Sequence, residues 1–232
     1  MDASTRFPRQ ELLHSLYRFQ AQMEASREVA CAPGCAACCT DRVYLTGLEG
    51  DLLRRELARQ GRLGLLARLE PGPKPAYTCN QLARLCIEGQ EPPEEVASGQ
   101  GAACALLEDG RCGVYEARPL ACRVMASRVR CREGGGAQGD PWWFTLDTAL
   151  MQIAEHIDLG GMYGSLGTVL RREDPLKGEG LLSCEPLPGL VAPPEHQARL
   201  QQTLGPLFAT PVDGRPLGQW LDLMRAESGA KG

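Results

Sequence analysis

The chain has 232 residues, 43% of them hydrophobic, and a formal net charge of −4 from 25 basic and 29 acidic side chains. This length and composition argue against a mainly disordered chain, a collagen and a coiled-coil rod, and they allow a core of ordinary size. The acidic balance argues against a globally basic nucleic-acid-binding protein. The unusual feature is the set of 11 cysteines, nearly all of which lie between Cys31 and Cys131.

The N-terminal segment, MDASTRFPRQELLHSLYRFQ, contains neither a long apolar run nor a small-residue cleavage site. No stretch approaches the roughly 18 apolar residues that a membrane-spanning helix needs. The sequence therefore predicts a cytoplasmic protein with no membrane partner. Because the cytosol keeps thiols reduced, clustered cysteines favour metal binding over disulfides, and an odd number of cysteines fits poorly with a complete disulfide framework.

The patterns predict one domain, 1–232, of mostly helical α+β class, with an irregular cysteine-rich metal-binding core over 31–131. Apolar residues at helical spacing predict an N-terminal helix over 9–29. Beyond a Gly-rich joint, a helical C-terminal part is expected over 142–232. Within that part, helical patterns occur over 144–158, 195–204 and 216–227.

Local signals punctuate the central region. Residues 43–45 suit a short strand, and the capping-box pattern that begins at Thr46 predicts a helix over 47–60. Further along, Asp109-Gly110 marks the turn of a short β-hairpin. Pro119 is placed to open a short helix.

The cysteines form two groups along the chain. The first has the spacing C-x3-C-x2-C-C, and the second has gaps of seven, nine and eight residues. Thiolates are soft donors that favour zinc, iron–sulfur clusters or copper(I). We therefore predict eight metal ligands: Cys31, Cys35, Cys38, Cys39, Cys104, Cys112, Cys122 and Cys131.

The adjacent pair Cys38-Cys39 suggests how these sulfurs divide. In extended backbone, neighbouring side chains point to opposite faces, so each cysteine of the pair can serve a different site. Eight sulfurs suffice for two four-thiolate sites, or for one site with spare thiols. The remaining cysteines, Cys79, Cys86 and Cys184, are predicted to be small buried hydrophobic side chains.

The two motifs together resemble the YkgJ-type cysteine-cluster family, whose CxxCxxCC domain is associated with zinc or iron chelation. The resemblance rests on C-x3-C-x2-C-C and on the later segment C-A-L-L-E-D-G-R-C-G-V-Y-E-A-R-P-L-A-C-R, and it spans about residues 31–131. Ala105 departs from the family, in which proline often follows this cysteine. The resemblance implies metal binding. Flagellin lysine N-methylases carry a similar cluster, which implies that some relatives modify proteins.

Two arginines flank Cys122 in the second motif. Four thiolates around a divalent metal carry a net charge of about −2, and nearby donors stabilise such sulfurs. We therefore predict that Arg118 and Arg123 contact the bound cofactor. The later arginines of this basic run, Arg128, Arg130 and Arg132, are predicted to be solvated.

The leading hypothesis is a cytosolic protein that binds an iron–sulfur cluster or zinc, with a role in electron transfer or protein modification and an unknown protein partner or substrate. The C-x3-C-x2-C spacing of the first three cysteines, which radical S-adenosylmethionine enzymes share, favours iron–sulfur. Two alternatives stay open: an S-adenosylmethionine-dependent protein methyltransferase, and an interaction module stapled by zinc. The sequence assigns no catalytic residue, and whether the protein is an enzyme stays open.

Overall fold

A computed structural model describes residues 7–32, 34–91, 101–131, 137–171 and 180–229. Within these ranges the fold is mostly helical α+β, as predicted, and every paired strand is antiparallel. The helices are α1 (Arg9–Glu24), α2 (Gly47–Arg59), α3 (Cys79–Ile87), α4 (Leu120–Arg123), α5 (Pro141–Ile157), α6 (Leu166–Leu170), α7 (Pro194–Ala209) and α8 (Leu217–Gly229). The strands are β1 (Tyr44–Thr46), β2 (Leu107–Glu108), β3 (Arg111–Cys112), β4 (Met162–Ser165), β5 (Leu182–Ser183), β6 (Pro211–Val212) and β7 (Arg215–Pro216).

Helix α1 ends at Glu24, five residues before the predicted end at 29. The hydroxyl of Ser26 donates to the carbonyl oxygen of Met23 at 2.7 Å and so satisfies one of the free carbonyls of the last turn. Arg27 then turns inward and pairs with Asp147 on α5. The tertiary ion pair therefore draws the chain away from the helix axis.

Helix α2 begins with the predicted capping box. The Thr46 hydroxyl accepts from the backbone N–H of Glu49, while the Glu49 carboxylate accepts from the backbone N–H of Thr46. Both residues are buried. The Glu49 carboxylate also accepts a hydrogen bond from the backbone of Leu120 at the start of α4.

Helix α7 extends beyond its predicted end at 204 and continues through Pro206 to Ala209. A proline inside a helix removes one hydrogen bond and normally favours termination. Here Leu204 and Leu207, on either side of the proline, are 0% and 1% exposed. Burial of these two leucines in the core outweighs the lost hydrogen bond.

Two hydrophobic clusters hold the fold together. The larger one joins α1, α5, α7 and α8, and its fully buried members include Leu13, Leu150 and Leu204. The smaller one surrounds α2 and α6 and includes Leu53 and Val169. Cys104, Cys112 and Cys122 pack against this smaller cluster, so the second cysteine motif rests on a rigid base.

A three-stranded sheet, with the order β1-β4-β5, connects the centre of the chain to its C-terminal part. Leu45 pairs with Gly164, and Tyr163 pairs with Leu182. The C-terminal part therefore contributes strands as well as the predicted helices. In the described part of the chain, no helix combines the length and apolar character needed to cross a bilayer.

Candidate metal centre

The first cysteine motif lies in a loop of tight turns. The backbone N–H of Cys35 donates to the Ala32 carbonyl at 2.9 Å, and that of Cys39 donates to the Ala36 carbonyl at 3.0 Å. Gly34 has a φ of 91°, a left-handed conformation that favours glycine. These turns keep the four sulfurs of the motif within one short loop.

A short antiparallel contact brings the end of this loop to the second motif. Thr40 pairs with Ala103, and the N–H of Cys104 donates to the Cys39 carbonyl at 3.0 Å. The Asp41 N–H donates to the Ala102 carbonyl at 3.0 Å. Cys39 and Cys104, which are far apart in sequence, are therefore backbone neighbours.

The β2–β3 hairpin places Cys112 beside the same point. Its turn lies at the predicted residues, where Asp109 and Gly110 have φ values of 48° and 73°. Cys112 pairs with Leu107, whose N–H donates to the Cys104 carbonyl at 3.0 Å. The hairpin thus folds Cys112 back toward Cys104.

The fourth sulfur comes from α4, which Pro119 precedes as predicted. The Leu120 N–H, in the first turn, donates to Glu49 Oε1 at 2.7 Å, which fixes α4 against α2. Cys122 follows on the same helix. We call the thiols that these contacts gather the four-thiol group: Cys39, Cys104, Cys112 and Cys122.

Electrostatic interactions link the side chains of the four-thiol group. Burial raises the pKa of the Cys122 thiol far above its ordinary value, and the thiols of Cys104 and Cys112 raise it further. Burial likewise raises the pKa of Cys39, with added contributions from Cys112 and Cys104. Arg118 opposes both shifts. Burial thus favours the protonated thiols of Cys39, Cys104 and Cys122, and a metal that binds them must displace those protons.

The other cysteines of the loop form a separate set. Burial, with smaller contributions from the thiols of Cys39, Cys31 and Cys35, raises the pKa of Cys38 to about 11. Cys38 thus interacts with the thiols of its own loop, whereas Cys39 also interacts with Cys104 and Cys112. The thiols of Cys38 and Cys39 also interact with each other, so the division of the pair between two sites stays a prediction.

The remaining cysteines lie apart from these interactions. Cys131 is half-buried at the end of the described range 101–131, and it takes no part in the thiol interactions given above. Cys184 is buried, and Cys79 Sγ lies 3.5 Å from Tyr163 Oη. Cys86 is exposed on α3, so the prediction that it is a buried hydrophobic side chain is wrong. Cys86 lies on the exposed side of α3, and its neighbour Ile87 is also solvent-accessible.

The two predicted arginines have different surroundings. Arg118 interacts with Cys39 and Cys122, and its guanidinium lies 3.5 Å from the ring centroid of Tyr115. Arg123 Nε instead donates to the Arg118 carbonyl at 2.8 Å, and its Nη2 donates to the carbonyl of Glu116. Arg123 therefore braces the backbone that carries Arg118.

Sequence reasoning missed two carboxylates at this site. Glu49 positions α4, as described above. Asp41 influences the thiol of Cys104, and among the described residues its buried Oδ1 has no hydrogen-bond partner. The nearest ion-pair partner is Arg42 Nε, at 3.9 Å from that oxygen. Asp41 lies two residues after Cys39, and this closeness in sequence could have identified it as a residue of the site.

The donor set suits a soft metal, but the side chains are not arranged as ligands. Across the described ranges, no group of three or more His, Cys, Asp or Glu side chains is close enough to hold a metal ion. The electrostatic interactions place the thiols as neighbours without coordination geometry. All 11 cysteines are free thiols, so no disulfide among them competes with binding. Thiol chemistry and the opposing charge of Arg118 therefore fit a metal, whose binding requires the sulfurs to move closer together.

Comparison with protein-family models, curated proteins and solved structures finds no match to this chain. The resemblance to the YkgJ-type family therefore stays a prediction that rests on the two motifs.

Proposed function

We propose that this protein binds a metal through the four-thiol group, as an iron–sulfur cluster or as zinc. The observation that supports the proposal is the convergence of Cys39, Cys104, Cys112 and Cys122. Backbone contacts join Cys39 to Cys104 and Cys104 to the hairpin that carries Cys112, while the Glu49 side chain holds the start of α4, which carries Cys122. The thiols of Cys31, Cys35 and Cys38 are the candidates for a second site in the loop.

In this proposal each protein group has a defined task. The four thiols lose their protons and bind the metal as thiolates. Arg118 offsets the net negative charge of the metal and its thiolates. Arg123 donates to the backbone carbonyl of Arg118 and so holds that residue in place. A bound iron–sulfur cluster would supply electron transfer, whereas zinc would supply a structural crosslink between the loop, the hairpin and α4.

The proposal includes a cytoplasmic location, because thiols stay reduced in that compartment. It also includes a protein partner or substrate, as the sequence predicts. Iron–sulfur is favoured by the C-x3-C-x2-C spacing of the loop cysteines.

The decisive experiment measures iron, zinc and acid-labile sulfide, together with the visible spectrum, on protein purified without oxygen. Cys112→Ser is the test variant, because Cys112 belongs to the four-thiol group. Cys86→Ser is the matched control, because Cys86 is an exposed free thiol on α3. Cys112→Ser should lose about one metal site per chain, since a tetrahedral site has no spare ligand. Cys86→Ser should keep the metal content of the unchanged protein.

The result distinguishes the metals and can overturn the proposal. Brown protein with matching iron and sulfide would assign a cluster, and colourless protein with zinc and no sulfide would assign a structural site. Folded protein that binds neither metal would refute the proposal. Equal loss of metal in the two variants would refute the assignment of the four-thiol group.

A further inference from the structure

The loop between α1 and β1 carries three thiols that the four-thiol group does not use. Cys31 and Cys38 are half-buried, and Cys35 is exposed. The thiol of Cys38 interacts with those of Cys31 and Cys35 as well as with that of Cys39. We call Cys31, Cys35 and Cys38 the loop set. With Cys39 assigned to the four-thiol group, the loop set offers a ligand three sulfurs.

The loop is held at its two ends. The backbone N–H of Ala30 donates to the Ser127 carbonyl at 2.7 Å, and Thr40 pairs with Ala103. For the described residues of 31–38, the backbone hydrogen bonds all close turns within the loop itself. In the described structure the sulfurs are not close enough to hold an ion, so a ligand must draw them together. They can approach one another by adjustment of these turns, without displacement of a helix or strand.

The segment that carries the loop set is uncharged. From Ala30 to Thr40 the sequence contains no charged side chain. The principal influences on the Cys38 thiol are burial, its own backbone and the neighbouring thiols, whereas Arg118 acts on Cys39 in the four-thiol group. A ligand that leaves a net charge on half-buried sulfurs is therefore costly in this loop.

The charge of the product separates the candidate ligands of three thiolates. Zinc with three thiolates carries one negative charge, and copper(I) with three thiolates carries two. Trivalent arsenic or antimony with three thiolates carries none. Thiolates are soft donors, and these are soft centres that bond to three sulfurs without a fourth ligand. A neutral three-sulfur product therefore suits the number of thiols in the loop set and the uncharged segment that carries them.

We propose that the loop set binds trivalent arsenic or antimony, which arrives as the neutral hydroxide. The proposal rests on the proposed function in one respect, the assignment of Cys39 to the four-thiol group. One molecule of arsenious acid reacts with three thiols to give the tris-thiolate and three waters. Three As–O bonds break and three As–S bonds form, each thiol proton leaves in a water molecule, and arsenic stays trivalent. The exposed Cys35 reacts first, and the half-buried Cys31 and Cys38 then displace the remaining hydroxides.

The test treats the full-length protein, purified with its metal, with sodium arsenite. Native mass spectrometry counts arsenic and metal per chain, and competition with dimercaptosuccinate measures the affinity for arsenite. Cys35→Ser is the test variant, and Cys86→Ser is its matched control because Cys86 is also an exposed free thiol. The unchanged protein and Cys86→Ser should bind one arsenic per chain and keep the metal of the four-thiol group. Cys35→Ser should bind arsenite about 100-fold more weakly, because it loses one of three linked donors.

Two further variants keep the proposal testable. Cys31→Ser should behave as Cys35→Ser does, so the loop set is still tested if one of these variants fails to fold. Cys112→Ser should lose the metal of the four-thiol group and keep the arsenic bound to the loop set. Protein that contains no metal would refute the metal proposal alone, because the dependence of arsenite binding on Cys35 still decides whether the loop set is the site.

Several outcomes would overturn the proposal. They are the absence of arsenite binding by the unchanged protein, equal affinities of Cys35→Ser and Cys86→Ser, and arsenic that displaces the metal and is lost in Cys112→Ser. The last outcome would assign arsenic to the four-thiol group. Cys131→Ser adds another: weakening of arsenite binding equal to that of Cys35→Ser would show that the site is not confined to the three sulfurs of the loop set.

Discussion

Glu49 Oε1 accepts a hydrogen bond of 2.7 Å from the backbone N–H of Leu120, so a side chain of α2 holds the start of α4. The same oxygen accepts from the Tyr17 hydroxyl at 2.9 Å, while Oε2 accepts from the backbone of Thr46. One buried carboxylate therefore accepts from backbone N–H groups at the starts of α2 and α4, and its bond to Tyr17 connects α1 to both helices. Because α4 carries Cys122, this contact also determines where the fourth sulfur of the candidate centre lies.

Glu49→Gln should lower the free energy of unfolding by about 2–3 kcal/mol, because charged hydrogen bonds become neutral ones and the new amide donors meet other donors. Urea unfolding followed by circular dichroism would measure the loss. Glu56→Gln, on the same helix, should shift the midpoint much less, because Glu56 pairs at the surface only with Arg59 and Gln60 of its own helix end. Equal midpoints for the two variants would contradict the role given to Glu49.

Arg118→Gln should weaken metal binding by about 10–100-fold, the usual effect of losing a group that supports metal ligands. Arg118 lowers the thiol pKa values of Cys39 and Cys122, so its removal makes the protons harder to displace. Competition with a chromophoric chelator would measure the change. Arg111→Gln, on the exposed side of the hairpin, is the matched control. The account fails if both variants bind metal equally.

Asp158 should make stability depend on pH. Its carboxylate accepts from the Leu48 N–H at 3.0 Å and lies 3.5 Å from Arg9 Nη1, but burial raises its pKa from 3.8 to about 6. The folded state therefore holds this proton more tightly than the unfolded state. The resulting stabilisation is complete below about pH 4 and is lost as the pH rises through about 6.

The loss should amount to as much as about 3 kcal/mol relative to Asp158→Asn, which has no proton to release. The difference between the two proteins is the useful quantity, because burial lowers the pKa of His156 and gives the opposite trend. Urea unfolding between about pH 4 and pH 7 would measure it. Glu195→Gln, at an exposed position on α7, should show no such difference. A constant gap between the unchanged protein and Asp158→Asn would refute the prediction.

Asp147→Asn should cost about 3–5 kcal/mol, because it leaves the charge of Arg27 buried without its partner. The Arg27 and Asp147 side chains are only 4% and 9% exposed. The more exposed pair of Arg84 and Glu185, whose side chains are 41% and 28% exposed, offers a matched comparison, and Glu185→Gln should cost at most about 1 kcal/mol. Thermal or urea unfolding would rank the two. Similar losses of unfolding free energy in the two variants would contradict the prediction that Asp147 neutralises a buried charge on Arg27.

Features that depend on neighbouring residues were predictable from the sequence. The capping box of Thr46 and Glu49 needs only residues three apart, and the structure has it. The hairpin turn at Asp109 and Gly110 likewise depends on two residues that tolerate a positive φ. In both cases the residues involved are close in sequence and favour one backbone conformation, so the sequence alone predicts it.

Features that depend on distant residues were not predictable. The bond from Leu120 to Glu49 spans 71 positions, and the pairing of β1 with β4 joins residues 44–46 to 163–165. The early end of α1 depends on Asp147, which lies on another helix. For the candidate site, spacing gave the predicted ligands, but only the folded chain shows that Arg118 interacts with Cys122 while Arg123 donates to the Arg118 carbonyl.

The adjacency of Cys38 and Cys39 has a consequence for how the two sets of sulfurs would fill. A single peptide bond joins the two residues, and their thiols interact with each other. Cys38 also interacts with Cys31 and Cys35, and Cys39 with Cys104 and Cys112. Ordering one side chain therefore fixes backbone that the other also needs, so the first metal ion would lower the entropic cost of binding the second. Metal titration should then be cooperative, with the half-loaded protein scarce at every concentration. Inserting one glycine between Cys38 and Cys39 should make the two sites fill independently.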